Sequence, residues 1–298
     1  LKRLRLGTRG SALAQAQSRW TAERLKARHP GLDVELVVIQ TSGDRLSVSG
    51  APVPADANVK AMFVKEIEEA LLAGTVDFGV HSAKDLPAEL PPGLLVAAYP
   101  EREDPRDVFI GAGGASWESL PAGATVGTAS LRRSIQLRAA RPDLKFAPLR
   151  GNVDTRLRKL AEGQVAGLVL AAAGLKRLGL EPAGLQRLST EIVVPAPGQG
   201  ALAVEAKVGG EAAELLRALD HSPTRRAVEL ERAVLRALGG GCSTPLGALA
   251  RCEGEDLLLD VFWSDPAGAK PRRLSGKASR PEELASLVDS LAARLRAE

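Results

Sequence analysis

Apolar residues recur along this chain in two rhythms. Short runs such as Leu4 to Thr8, Val34 to Gln40, Val76 to Val80 and Leu94 to Tyr99 read as strands. Between them, Ser11 to about His29 and Met62 to Ala73 carry apolar residues at helical spacing. A second block repeats the alternation. Strands are predicted at Val108 to Gly111, Thr125 to Thr128, Lys145 to Pro148 and Val165 to Ala171. Helices are predicted from Ala129 to about Ala140, behind Arg150, and over Ala172 to Leu178. No residue-level repeat relates the two blocks. A further strand, Ala201 to Ala206, precedes helices over Glu211 to Leu219 and Pro223 to Leu238.

The rhythm then breaks. Strands at Leu246 to Arg251, Leu257 to Ser264 and Arg273 to Ala278 follow one another with no helix between, and Pro281 to Arg296 closes the sequence as a helix. Such a run specifies an antiparallel α+β unit, beginning near Asp220, after two α/β domains. The stretch from Thr41 to Val59 has no period and reads as a long loop, either a functional lid or disordered.

Composition narrows the reading. The 298 residues are 45% hydrophobic but only 3% aromatic, so the core is built from Ala, Leu and Val. Forty Lys and Arg stand against 36 Asp and Glu, a formal charge of +4. That excess suits local anion sites better than a surface that coats nucleic acid. Two cysteines in unrelated surroundings make no disulfide framework, and the basic start lacks the apolar stretch of a signal peptide. No run is long enough for a membrane span. The expected setting is cytoplasmic.

Chemistry concentrates at strand-to-helix turns. Gly7-Thr8-Arg9-Gly10-Ser11 offers free amides at a helix start. Arg9, Arg132, Arg133, Arg150 and Arg156 all fall in such turns or first helical turns, where cations add to the helix dipole instead of balancing it. One such arginine is most simply a solvated surface residue; five at equivalent places point to a cleft for a polyanion. Asp85, in His81-Ser82-Ala83-Lys84-Asp85, is an N-cap or surface pair on its own, but among arginines it could hold N–H donors or steady a developing cation. Histidines at 29, 81 and 221 have no metal-ligand spacing, and no phosphate-loop pattern occurs. Cys242 follows Gly239-Gly240-Gly241, which makes it either an exposed thiol or a small buried hydrophobe behind a C-cap. Cys252 reads as plain core.

The motifs LRLGTRGSALAQAQ, VHSAKDLP, GTASLRRSIQL, LRGNVDTRL, AAAGLKRLGL, PAPGQGALAVE and GGGCSTPLG occur in the order and spacing of the porphobilinogen deaminases, or hydroxymethylbilane synthases. The chain resembles that family over nearly its whole length. The resemblance implies two lobes like those of periplasmic binding proteins, residues 1–100 with 197–219 and residues 101–196, and a third, cofactor-bearing domain at 220–298. It implies a transferase of haem biosynthesis, acting as a monomer without metal. Four porphobilinogen molecules would be joined head to tail into 1-hydroxymethylbilane with loss of ammonia. A dipyrromethane cofactor would be held through Cys242 in thioether linkage. Asp85 would hold pyrrole N–H groups and stabilise the positive charge that follows ammonia loss. Arg9, Ser11, Lys84, Thr128, Ser130, Arg132, Arg133, Arg150 and Arg156 match positions that bind cofactor or substrate carboxylates. Arg177 matches a family arginine, and Gln199 and Gly200 match positions near the substrate. In the 41–62 stretch Lys60 matches the second of two lysines that many bacterial relatives carry, a candidate lid residue, while Asp56 stands where the first would be. Two rivals from other classes are a two-lobed anion-binding protein without chemistry and a nucleic-acid binder. The glycine-flanked thiol speaks against the first, and the small charge excess and scarce aromatics against the second.

Overall fold

The computed structural model describes residues 2–44, 61–239 and 244–297. It forms two compact units, Leu1–Glu103 with Ala201–Arg226 and Asp104–Gly200 with Ala227–Glu298. Cys242, Lys60 and Asp56 lie outside the described residues, as does nearly all of the stretch read as a long loop.

In the first unit, strands β1 (Lys2–Arg9), β2 (Leu32–Ile39), β3 (Phe78–Ser82), β4 (Leu94–Ala98) and β10 (Leu202–Lys207) form a sheet of order β2-β1-β3-β10-β4. β1 runs parallel to β2 and β3, whereas β10 runs antiparallel to both its neighbours. Helix α1 (Ala12–Arg28) buries Ala14, Gln17, Ser18, Thr21, Ala22 and Leu25, a stripe at helical spacing that is half polar. The polar members are satisfied inside: Ser18 Oγ bonds Thr8 Oγ1 at 2.8 Å, and Thr21 donates to the Gln17 carbonyl. Leu4, Leu6, Phe78, Val80, Val204 and Ala206 pack with Leu25 and Leu216 in one core. Ile67 and Leu71 of α2 (Lys65–Ala73) pack with Val76 and Leu94 in another. The helix expected from Met62 begins only at Lys65. Ala61–Phe63 tighten into a 3-10 turn that sets the Phe63 ring under the Arg9 guanidinium, 4.1 Å away. Ser42 to Asp44, expected as loop, are helical.

The second unit repeats the plan. β5 (Asp107–Gly111), β6 (Thr125–Gly127), β7 (Lys145–Ala147), β8 (Gly167–Ala171) and β9 (Leu185–Arg187) take the order β7-β6-β8-β5-β9. β6 is parallel to β7 and β8, and β5 is antiparallel to β8 and β9. Strand for strand this is the first sheet again. In each sheet the antiparallel insert, β10 or β5, is the strand on which the chain arrives from the other unit. β9 has no apolar alternation to announce it, and pairing to β5 alone makes it a strand. Helices α3 (Leu131–Ala140), α4 (Val153–Ala161) and α5 (Ala172–Arg177) follow β6, β7 and β8, and α6 (Glu211–Leu216) follows β10.

Helix α7 (Ser222–Ala237) leads to the expected antiparallel sheet β11 (Leu246–Glu253), β12 (Asp256–Trp263) and β13 (Arg272–Ala278), followed by α8 (Glu283–Arg296). Gly239, at φ +64°, ends α7 in the left-handed conformation that the glycine run suggested. The Pro195 to Gly200 segment is fastened to β11 within the second unit. Ala248 N–H donates to the Pro195 carbonyl, and fully buried Glu231 accepts from Gly198 N–H at 2.6 Å and Ala250 N–H at 2.8 Å. Cys252, expected in the core, is only half-buried, because it sits near the end of β11 opposite Leu257. No helix among the described residues is long and apolar enough to cross a membrane.

Candidate active site

In the first unit the candidate residues lie where β1 and β3 end, the edge at which parallel sheets expose helix starts and turn backbones. Ser11 is the N-cap of α1, its Oγ accepting from Ala14 N–H at 3.3 Å. Arg9 closes β1 and clasps Asp44 through Nε at 3.2 Å and Nη2 at 2.6 Å. Burial alone would push the Asp44 carboxyl up. The hydrogen bonds and charge of Arg9, with Thr41, hold it below the ordinary value.

β3 runs into a single 3-10 turn, Ala83–Asp85. Three contacts fix that turn. Ala83 N–H donates to the Ala201 carbonyl at 3.0 Å, Gln17 Nε2 donates to Ser82 Oγ at 3.0 Å, and Leu86 behind it is buried. Asp85 itself is half-buried, and no hydrogen bond or ion pair from a described residue reaches it. In this it differs from the other buried or half-buried aspartates: Asp33, Asp44, Asp77, Asp104, Asp107, Asp220, Asp256, Asp260 and Asp265 all have partners. A turn tied down by these contacts thus presents a carboxylate whose oxygens are uncommitted among the described residues.

In the second unit Thr128 and Ser130 build the start of α3. Ser130 N–H donates to Thr128 Oγ1 at 3.2 Å, and Ser130 Oγ accepts from Arg133 N–H at 3.4 Å. Arg132 and Arg133, read from the sequence as cations awaiting an outside anion, are buried and turn inward to Asp107. Arg132 Nη1 donates to Oδ2 at 2.8 Å, and Arg133 donates to Oδ1 through Nη2 at 2.6 Å and Nε at 3.0 Å. Gln199 joins them, its Nε2 donating to Asp107 Oδ1 and to the Pro105 carbonyl, both at 2.8 Å. Burial alone would raise the Asp107 carboxyl, but the two guanidinium charges overcome it and hold the group far below the usual carboxylate range.

Arg156, in the first turn of α4, has no such partner. Its Nε donates to the Gly151 carbonyl at 2.7 Å, and no carboxylate among the described residues pairs with it. Burial, with Arg133 nearby, pushes it down to about 10. It therefore stays charged at neutral pH. Arg150, exposed and without an ion pair among the described residues, stands just ahead of the same helix. Arg177 is half-buried and donates to the Gly200 carbonyl at 2.6 Å.

The first unit thus holds Arg9, Ser11, Lys84 and Asp85, and the second Thr128, Ser130, Arg132, Arg133, Arg150, Arg156, Arg177, Gln199 and Gly200. Sequence reasoning passed over Gln17, Asp107 and Glu205. Each left a signal: Gln17 is polar on the buried stripe of an amphipathic helix, and the two acids sit in otherwise apolar strands.

Known proteins align with the chain at both levels of resemblance. Residues 4–214 match the family model described as porphobilinogen deaminase, dipyromethane cofactor binding domain. Residues 225–297 match porphobilinogen deaminase, C-terminal domain. The porphobilinogen deaminase of Roseiflexus castenholzii is 50% identical over 287 residues, covering 96% of this chain and 94% of that protein. That of Desulforudis audaxviator is 49% identical over 293 residues, 97% and 93% of the two chains. Among solved structures, the methionine-binding protein MetQ aligns with a TM-score of 0.47 and 16% identity, over 75% of this chain and 92% of its own.

Proposed function

The chain belongs to the porphobilinogen deaminase family, and we propose that Asp85 is its catalytic carboxylate and that arginines led by Arg156 hold the substrate and cofactor carboxylates. The activity is the family's: an enzyme of tetrapyrrole biosynthesis that deaminates porphobilinogen and joins four molecules head to tail as 1-hydroxymethylbilane. The observation that carries the assignment is the uncommitted, half-buried carboxylate of Asp85 on a turn fixed by Ala201 and Gln17.

The residues suit a dipyrromethane. Such a group brings several carboxylates and two pyrrole N–H donors; Arg156 and Arg150 carry charge that no described carboxylate balances, and Asp85 is an acceptor that no described donor fills. Bound through Cys242, it supplies the free pyrrole carbon on which the product is built. Asp85 accepts N–H donors and lowers the energy of the cation left as ammonia departs, an electrostatic role for a preorganised charge. Ser11, Thr128 and Ser130 expose helix-start amides and hydroxyls to carboxylates. Arg132, Arg133 and Gln199, tied to Asp107, act chiefly by stiffening the frame that carries Ser130 and Gly200. The organisation into two lobes and a third domain from about residue 220, and action as a cytoplasmic monomer that binds no nucleic acid, belong to the same reading. The isolated cysteines and small charge excess support its last parts.

Intact-mass measurement tests the attachment. The purified protein should exceed its sequence mass by two linked pyrrole units, and Cys242→Ser should lose both the increment and the activity. An active wild type at bare sequence mass would end the assignment. Arg156→Gln tests the anion seat. A charge-assisted hydrogen bond contributes about 1.5–3 kcal/mol, so KM for porphobilinogen should rise about 10- to 100-fold, or cofactor loading should fall correspondingly. The thermal midpoint of the cofactor-free protein should hold or rise, because a half-buried charge that no carboxylate among the described residues balances has been removed. Unchanged KM and loading would show that Arg156 seats no anion.

A further inference from the structure

Behind the Asp85 turn lies a group of buried titratable side chains that the proposed chemistry does not use. Glu205 on β10 is 0% exposed, His81 on β3 5% and Glu68 on α2 8%. Ala203 pairs with His81 and Glu205 with Gly79, so His81 and Glu205 share one face of the sheet. Gly79 makes the approach possible: a Cβ there would meet the His81 Nε2 at 3.1 Å and Ile67 Cγ2 at 2.7 Å. His81 Nε2 lies 3.2 Å from Glu205 Oε2, within ion-pair range but off hydrogen-bond geometry. Both Glu205 oxygens and Glu68 Oε1 are buried without a hydrogen-bond donor. Burial of unpaired carboxylate oxygens is costly unless the carboxyl is neutralised by a proton.

The described residues of the elements packed around the group offer no other counter-charge. On β1, Lys2, Arg3, Arg5 and Arg9 pair with Glu211, Asp33, Asp77 and Asp44. β4 and the Ala61–Phe63 turn carry no titratable group, and the charged residues of α1 are exposed. Lys207 on β10 donates to the Leu72 carbonyl. On α2, Glu66 accepts from Ser42, and Glu69 is exposed with Lys65 3.7 Å away. Among the described residues no cluster is arranged to hold a metal ion. Among the described residues of these elements, His81 is therefore the one basic group set against two carboxylates. It stands in β3, whose next residues form the turn carrying Asp85.

We propose that Glu205, His81 and Glu68 form a buried ionisable cluster that positions the Lys84–Asp85 turn, so that kcat rather than KM follows the protonation of Glu68. With Glu68 neutral, the packing of β3 on β10 is undisturbed and the two strands are held in register. With Glu68 ionised, a second buried negative charge loosens that packing. Burial first, then the charge of Glu205, pushes Glu68 up to about 7 against the opposing influence of His81, so the change falls in the working range of pH.

The inference rests on Asp85 carrying the chemistry. The test measures kcat and KM for porphobilinogen across pH 6 to 9 on cofactor-loaded wild type, Glu68→Gln and Glu205→Gln. Wild-type kcat should contain a fall through about pH 7, from the raised Glu68, that is missing from Glu68→Gln, with KM moving less than about twofold. Wild-type stability should also decline from about pH 5 to 7, because the folded state alone then holds the Glu68 proton, and Glu68→Gln should flatten that decline. Glu205→Gln should lower kcat about tenfold or more at unchanged KM. A folded Glu68→Gln enzyme with the wild-type kcat profile overturns the proposal, whether or not Glu205→Gln folds. If Asp85→Ala keeps its turnover, the catalytic assignment fails instead, and the two failures are separately visible.

Discussion

Asp85→Ala should lower kcat by about 10²–10³-fold while leaving the cofactor-sized mass increment attainable, the loss typical of removing one preorganised electrostatic group. The expectation follows from where the carboxylate sits. Every other buried or half-buried aspartate among the described residues is spent on an arginine, a lysine or backbone amides, and each helps to hold the fold. Asp85 is spent on nothing within the described chain, so its removal should cost little stability and much rate. Asp85→Asn separates its two proposed functions: it keeps an oxygen acceptor for pyrrole N–H groups but loses the charge. Most of the rate loss should therefore persist in the amide variant, with KM within a few fold. Steady-state kinetics on mass-verified, cofactor-loaded protein decide it. Turnover near wild type in the alanine variant would remove Asp85 from catalysis.

The second large effect is on stability. Asp107→Asn leaves the buried guanidiniums of Arg132 and Arg133 facing a neutral amide, and breaking a buried charge pair from one side costs about 3–5 kcal/mol. The consequences spread because Arg132 also donates to the Val194 carbonyl at 2.7 Å, Arg133 to that of Val169 at 3.1 Å, and Gln199 to Asp107 itself. One carboxylate thus ties α3, β8 and the returning segment together. Urea unfolding at pH 7 should show a lower midpoint at unchanged slope. The pH dependence has a definite sign. Asp107 titrates below its unfolded value, so its stabilisation is complete above the ordinary carboxylate range. It is lost as pH falls towards the depressed folded value, because there only the unfolded chain takes up the proton. The variant should show a shallower acid-side decline. An Asp107→Asn protein as stable as wild type would mean that the guanidiniums find other partners.

Much of this protein is legible in its primary structure, for a physical reason. Helix and strand periods are local, so the alternation of the two blocks, the antiparallel close and the helix starts near Ser11 and Ala129 are readable in the primary structure. The strands β9 and β10 show the limit. The sequence marks β10 as a strand, but only its pairing between β3 and β4 puts Glu205 over Gly79 beside His81. β9 had no local signal at all.

The arginines divide the same way. Their position at helix starts is a property of the sequence; the destination of each charge is not. Arg9 finds Asp44 35 residues on, Arg132 finds Asp107 25 residues back, and Arg156, in an equivalent place, finds no carboxylate among the described residues. By itself the sequence determined the order of elements, the family and the short list of chemical groups, because those are carried by spacing and by motifs. Only the tertiary structure decided which of those groups are already neutralised and which stay open, because ion pairs across strands are set by register and burial, and neither is local.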